Sequence, residues 1–241
     1  MGIEGLKVEA INSKVSQYWS VSVTEETAST QIDLTDNFQP GKVLVAEFQS
    51  AGRGRLDRKF EIPARKGLTF SFCIDFENEL GWIPLITGLA VARAINKYMN
   101  SELVEIKWPN DLLINNKKLA GILSEKCSAG VVVGIGINIY QSQEELPIEN
   151  AISLSMFGNV NREDLLIEIL NEIAIAFSDF ENQKNQYRAK CGTIGSHVRA
   201  SLPNGEIIED QAIGISIDGA LLLNSREIRV GDIVHLRYSG E

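Results

Sequence analysis

Three cysteines in 241 residues is a small number and an odd one, and Cys73, Cys127 and Cys191 stand far apart. No CxxC spacing links them, so neither a disulfide framework nor a cysteine-ligated zinc site is indicated. Reduced thiols in a cytoplasmic protein are the expectation. Positive charge is also short: 23 Lys and Arg face 32 Asp and Glu, a net charge of −9. A surface of that sign does not attract the nucleic-acid backbone or an anionic membrane. No run approaches the ~18 apolar residues of a membrane span. The opening MGIEGL carries neither an apolar signal core nor the Ser or Thr of a myristoylation motif. Residues 1–18 are weakly patterned and leave no room for a helix-turn-helix domain ahead of the main fold. Internal repeats, low-complexity tracts and Gly/Ser linkers are absent too. What is left is an ordinary globular composition, 44% hydrophobic and 23% charged, in a chain long enough for a large core and a small second domain.

Against that acidic background one stretch is dense in cations. Residues 48–58, FQSAGRGRLDR, hold Arg53, Arg55 and Arg58 with two glycines, directly after the apolar run VLVA. Glycine lets backbone N–H groups approach a ligand closely, and the guanidinium fork suits phosphate and carboxylate. The stretch reads either as a loop that wraps an anionic small molecule or as a solvated basic turn. Residues 50–66 have no hydrophobic period and add Lys59, Arg65 and Lys66. A loop of this length in a compact domain is functional or disordered. One that is mobile when empty and ordered over a ligand satisfies both descriptions.

The rest of the chain supplies a scaffold. Alternation over residues 19–23 and 68–76, and the run 43–49, predict strands. Between them Ser29 or Thr30 is placed to cap a short helix. Apolar residues at helical spacing predict an amphipathic helix over 83–99 and a second over 162–188. In VEIKWPNDLLI, residues 104–114, Pro109 breaks the strand, so Asn110 and Asp111 project from a strand end. Asn115 and Asn116 suit a hairpin turn, after which Lys117 and Lys118 start the returning strand. In VVVGIGINIY, residues 131–140, Gly134, Gly136 and Asn138 share one face by period two. Two glycines on one strand face signal either something packed close against the backbone or a barrel bend. After residue 190 five short strands, at 197–202, 206–217, 220–223, 227–230 and 233–238, alternate with turn residues, the pattern of a small barrel.

Three stretches together resemble one family. QSAGRGRLDR (49–58), KWPNDLLINNKKLAGILSE (107–125) and VGIGIN (133–138) are similar in order and spacing to biotin–protein ligases. ETASTQ (26–31) resembles the family's earlier biotin-contacting segment, and GISIDGALLL and GDIVHLR its small C-terminal domain. The resemblance spans roughly residues 19–238. It implies an α/β (α+β) fold. A catalytic domain related to class II aminoacyl-tRNA synthetases, with a mixed sheet, would occupy residues 1–189, and an SH3-like barrel residues 190–241. It implies a biotin–[acetyl-CoA-carboxylase] ligase activity: biotin and Mg-ATP give biotinyl-5′-adenylate and pyrophosphate, and biotin then passes to one lysine of a biotin carboxyl carrier protein domain. The form resembled is the one without the N-terminal DNA-binding domain, monomeric or weakly homodimeric.

The chemistry explains the residue types. Biotin's carboxylate is ionised at neutral pH, so the first step needs no base. It needs two anions held in line with their repulsion offset. By resemblance, Arg53, Gly54 and Arg55 enclose the intermediate, and Lys118 sits at the reacting centre. Ser29, Thr30, Gln31 and Gln49 hydrogen-bond the ureido ring. Trp108 and the Gly134–Gly136 strand form apolar walls, and Asn110 and Asn138 contact the nucleotide or its phosphates. The second step must remove a proton from a lysine of pKa about 10.4. Asp111 is the candidate for it, with a hydrogen-bonded corner as its other reading, and the only candidate for holding Mg2+. The sequence departs from the family at Gln31 (usually Asn), Asp57 (usually Gly) and Phe60 (usually Trp), which bears on how the loop orders and retains the adenylate.

Two other readings stay open: a lipoate or octanoate ligase or transferase, which shares the catalytic fold, and a non-enzymatic partner-binding module. The charge and the short N-terminal segment predict no operator binding. A gel-shift titration with duplex DNA is expected to show only weak, salt-sensitive association. A sequence-specific, salt-resistant shift contradicts this reading.

Overall fold

A computed structural model describes residues 3–236. The chain opens with α1 (Val8–Asn12), β1 (Ser20–Thr24), α2 (Thr30–Asp36), β2 (Lys42–Ala46) and β3 (Gly67–Ile74). Helix α3 (Ile83–Met99) falls where the periodicity put it, and β4 (Glu105–Lys107), β5 (Asp111–Ile114), β6 (Lys117–Cys127) and β7 (Gly130–Asn138) follow. These seven strands form one mixed sheet in the order β1-β2-β3-β7-β6-β5-β4. Only β1 and β2 pair in parallel. Asn115 and Asn116 both adopt positive φ, 51° and 61°, as the β5–β6 hairpin turn requires.

The predicted helix over 162–188 is two helices, α4 (Arg162–Ser178) and α5 (Phe180–Lys190), broken at Asp179 (φ −131°, ψ 47°). Periodicity alone hides such a break. Its effect is to bring Phe177 and Phe180 together on Phe76, and to carry Lys184 and Arg188 to the Trp82 ring. Helices α3 and α4 cover one face of the large sheet, where Phe70, Phe72, Ile135 and Ile137 are buried.

The remaining strands, β8 (His197–Ser201), β9 (Ile207–Ile215), β10 (Leu221–Leu223), β11 (Glu227–Ile228) and β12 (Asp232–His235), make a separate five-stranded sheet in the order β11-β10-β9-β8-β12. Each pairing is antiparallel. The last residues of the strand expected at 233–238, Arg237 and Tyr238, lie outside the described residues. The Asp218-Gly219 turn docks this sheet on the rest. The Trp82 indole donates to the Ile217 carbonyl at 2.8 Å and the Trp108 indole to the Gly219 carbonyl at 3.0 Å. A Cβ on Gly81 would meet the Asp218 carbonyl oxygen at 2.2 Å, so only glycine allows this approach.

One ion pair lies deep in the large unit. Arg162, first residue of α4, forks onto Glu47 with contacts of 2.6 and 3.2 Å, both side chains 3% exposed or less. The same guanidinium donates to the carbonyls of Gly67 and Glu4, and Glu47 also accepts from the Leu6 N–H. Glu47→Gln leaves a buried cation without its counter-charge and is expected to cost about 3–5 kcal/mol in denaturant unfolding. Replacing both partners, Glu47→Leu with Arg162→Met, removes the unpaired charge but is expected to recover only part of that loss, because the Gly67 and Glu4 carbonyls and the Leu6 N–H then lack partners. An unchanged unfolding midpoint for Glu47→Gln contradicts this account.

Candidate active site

The sheet face away from α3 and α4 is made of small residues. Phe70 and Phe72 point to the helices, so by period two Thr69 and Ser71 point the other way. The register sets Thr69 beside Gly136, Ser71 beside Gly134, and Gly121 beside Gly136. The close approach that the two glycines signalled is made by Gln31 and Phe60. A Cβ on Gly134 would lie 2.7 Å from the Gln31 Oε1, and one on Gly136 would lie 2.0 Å from the Phe60 ring.

At the Gly134 end the site is polar and uncharged. Residues 27 and 28 run parallel to the start of the arginine loop, with a bridge between Thr27 and Gln49. Neither Ser29 nor Thr30 caps α2 with its side chain: Ser29 occupies the N-cap position without a capping bond. The Gln49 side chain does that work instead. Its Oε1 accepts from the Thr30 N–H at 2.8 Å and lies 3.0 Å from the Thr30 hydroxyl. The Thr30 and Ser71 hydroxyls are 2.7 Å apart, Ser71 donates to the Gln31 Oε1 at 3.2 Å, and the Gln31 Nε2 donates to the Val132 carbonyl. The longer Gln31 side chain thus spans from α2 to the sheet.

At the other end the site is cationic. The arginine loop folds back on itself through Gly54 N–H to Arg58 carbonyl (2.7 Å) and Phe60 N–H to Gly52 carbonyl (2.9 Å) bonds. Its tip at Leu56 is left-handed, φ 55°. A Cβ on Gly52 would collide with the Phe60 carbonyl oxygen at 2.2 Å, so the fold-back needs glycine there. Arg55 donates to the Asn110 Oδ1 at 3.0 Å, and the Asn110 Nδ2 donates to the Ile122 carbonyl. Arg53 forks onto Glu125, and Arg58 pairs with Asp232 of β12. Burial lowers the pKa of Arg55, with the Asp111 carboxylate opposing; the guanidinium stays charged.

Asp111 and Lys118 meet across the β5–β6 hairpin, with Lys118 Nζ 2.6 Å from Asp111 Oδ1. That contact lacks hydrogen-bond alignment, and the buried Oδ1 has no directed donor. Lys107 approaches Oδ2 at 3.8 Å. A carboxylate flanked by two ammonium groups does not offer a magnesium site. Among the described residues no cluster of three or more His, Cys, Asp or Glu is placed to hold a metal ion.

A cavity of about 370 Å³ joins the two ends. Ser29, Thr30, Gln31 and Gln49 line one end, and Arg53, Gly54 and Arg55 the loop side. Asn110, Asp111 and Lys118 line the far end, and Gly134, Gly136 and Asn138 the β7 wall. Both asparagine amides are already engaged: Asn138 donates to the Ile152 carbonyl and accepts from Gln141. Trp108 does not line the cavity. It is 1% exposed and turned toward the C-terminal sheet. Its apolar bulk and indole N–H are satisfied together only at that junction. Residues the sequence did not mark also line the cavity, among them Thr69, Ser71, Gly121 and Asp232. The alternation of residues 68–76 held the signal for Thr69 and Ser71. Nothing local to Asp232 shows that β12 reaches the loop.

Comparison with known proteins bears on this arrangement. The family model described as the biotin/lipoate A/B protein ligase family matches residues 20–141. A biotin–[acetyl-CoA-carboxylase] ligase of Mycobacterium tuberculosis is 35% identical, the match covering 92% of this chain and 91% of that protein. The bifunctional ligase/repressor BirA of Bacillus subtilis is 30% identical over 92% of this chain and 73% of its own length. Among solved structures, the biotin protein ligase of Aquifex aeolicus in complex with biotin and ATP superposes with a TM-score of 0.77. It is 31% identical and covers 90% of this chain and 99% of that one. The matched segment carries the arginine loop, the hairpin with Asp111 and Lys118 and the glycine strand, so the chain belongs to the biotin/lipoate A/B protein ligase family.

Proposed function

We propose that this chain is a biotin–protein ligase. It joins biotin to ATP as biotinyl-5′-adenylate and transfers biotin to a lysine of a biotin carboxyl carrier protein domain. The observation that carries this reading is one cavity with an uncharged hydrogen-bonding end and a cationic end. A cyclic urea with a carboxylate at the far end of an alkyl tail matches both. A dithiolane ring has no N–H or carbonyl to join the Thr30–Ser71–Gln31 network, so lipoate gains no hydrogen bonds there, whereas a cyclic urea does.

In the first step a biotin carboxylate oxygen attacks the α-phosphorus of ATP. An O–P bond forms, and the bond to the bridging oxygen breaks, releasing pyrophosphate. Arg55, aimed by Asn110, and Lys118 offset the charge of the two anions. Magnesium arrives with ATP as its counter-ion. In the second step the carrier lysine nitrogen attacks the acyl carbon. The C–N bond forms, the C–O bond to AMP breaks, and Asp111 orients the amine and draws off its proton. Ser29, Thr30, Gln31 and Gln49, with Ser71 beneath them, hold the ureido ring.

Pyrophosphate release with ATP is expected with biotin and not with lipoate; release with lipoate alone overturns the reading. Lys118→Ala is expected to slow adenylate formation by about 10²–10³-fold. It should weaken biotin binding much less and affect transfer from supplied biotinyl-adenylate less than synthesis. Near-normal pyrophosphate release by a folded Lys118→Ala protein removes Lys118 from the mechanism.

The loop gives a further test. Six cationic side chains lie between residues 52 and 66, and their mutual repulsion falls when an anion binds. Limited trypsinolysis at Arg55, Arg58 and Lys59 is expected to slow when biotin and ATP are present. Equal cleavage with and without them contradicts ligand-linked ordering.

A further inference from the structure

Lys107 does not line the cavity, yet it is built into its reacting end. It is the register partner of Asp111 across β4 and β5, and its side chain is only 20% exposed. The carboxylate between them is shared: Lys107 approaches Oδ2 at 3.8 Å and Lys118 holds Oδ1 at 2.6 Å. These two contacts have different consequences. Lys118 must present its ammonium to anions in the cavity, and a carboxylate this close competes for it. Opposite charges at such a distance attract strongly once water is displaced. A second cation on the far oxygen divides that attraction and anchors the carboxylate.

We propose that Lys107 is a positioning residue of the adenylation step: its cation shares the Asp111 carboxylate from the Oδ2 side, so that Lys118, seated on Oδ1 at 2.6 Å, can exchange that partner for the reacting anions. The inference rests on the ligase reading and adds to it a residue that never meets substrate. Burial lowers the pKa of Lys107, with Asp111 opposing and Lys118 reinforcing the shift. Removing this cation is therefore a local electrostatic change at the site, and Lys107→Met keeps much of the buried stem.

The test is single-turnover adenylate formation by Lys107→Met and Lys107→Arg, each in the native and the Asp111→Asn background, with melting temperatures. Lys107→Met is expected to lower the rate by about 10²-fold, the scale of a misplaced reacting group, with KM for biotin and melting temperature unchanged. Lys107→Arg is expected to restore most of the rate, because it restores the cation. In the Asp111→Asn background Lys107→Met is expected to cost far less, because the competitor for Lys118 is gone; such non-additivity is the signature of a shared partner. A native rate in Lys107→Met overturns the proposal, as does an equal cost in both backgrounds. So does a loss that tracks the melting temperature and is not restored by Arg, which marks a structural role. Pyrophosphate release by the unmodified protein with biotin separates the two levels: without it the ligase reading fails and this inference falls with it.

Discussion

Much of the site hangs on the buried pair of Glu47 and Arg162. The arginine loop leaves β2 at Ala46 and re-enters the sheet at Gly67, so its two feet are far apart in sequence. The Arg162 guanidinium holds both, bonding the Glu47 carboxylate at one foot and the Gly67 carbonyl at the other. The Glu47 carbonyl accepts from the Arg65 N–H at 2.8 Å and closes the base further. Arg162 starts α4, so the helix that fills the core behind the sheet also fixes the loop in front of it. Loop-closure entropy is met at the base, and the tip is left to the ligand chemistry.

The charges around the cavity are arranged as exchangeable partnerships. A chain of net charge −9 gathers Arg53, Arg55, Arg58 and Lys118 at one site, and each has a protein partner: Glu125, Asn110, Asp232 and Asp111. The Arg53 and Arg58 pairs are well exposed and so are worth little by themselves. Phosphate oxygens can replace such acceptors at small cost, which suits a site that binds an anionic substrate and later releases an anionic product. Arg55 is more buried, and its neutral partner Asn110 sets direction without cancelling charge.

The frame and most of the cavity were legible in the chain because local rules and tertiary packing agree there. The α3 span follows its apolar spacing, the β5–β6 turn follows from two Asn residues that accept positive φ, and the glycines of β7 announced a close approach. The readings that changed are those decided by distant contacts. Trp108 was expected as a pocket wall by resemblance alone; a turn in another sheet takes its indole. Ser29 had the right type and place for a cap, yet a glutamine 20 residues on caps the helix. The single helix over 162–188 obeyed one period, and the break at Asp179 answers to aromatic packing on Phe76. Thr69 and Ser71 were visible as the polar half of an alternating strand, but which half faces a ligand depends on where the helices lie.

The docking of the Asp218-Gly219 turn has an optical consequence. Of the three tryptophans, Trp82 and Trp108 both spend their indole N–H on backbone carbonyls of that turn, while Trp19 donates to the Leu170 carbonyl and packs on Phe72 in the main core. Two of the three intrinsic fluorophores therefore sit at the seam between the sheets and one sits away from it. Emission from the seam pair reports whether the small sheet is seated, and emission from the third reports the core. Water entry at the seam would redden two tryptophans ahead of the third, so the order of events in unfolding is written in the spectrum without any added label.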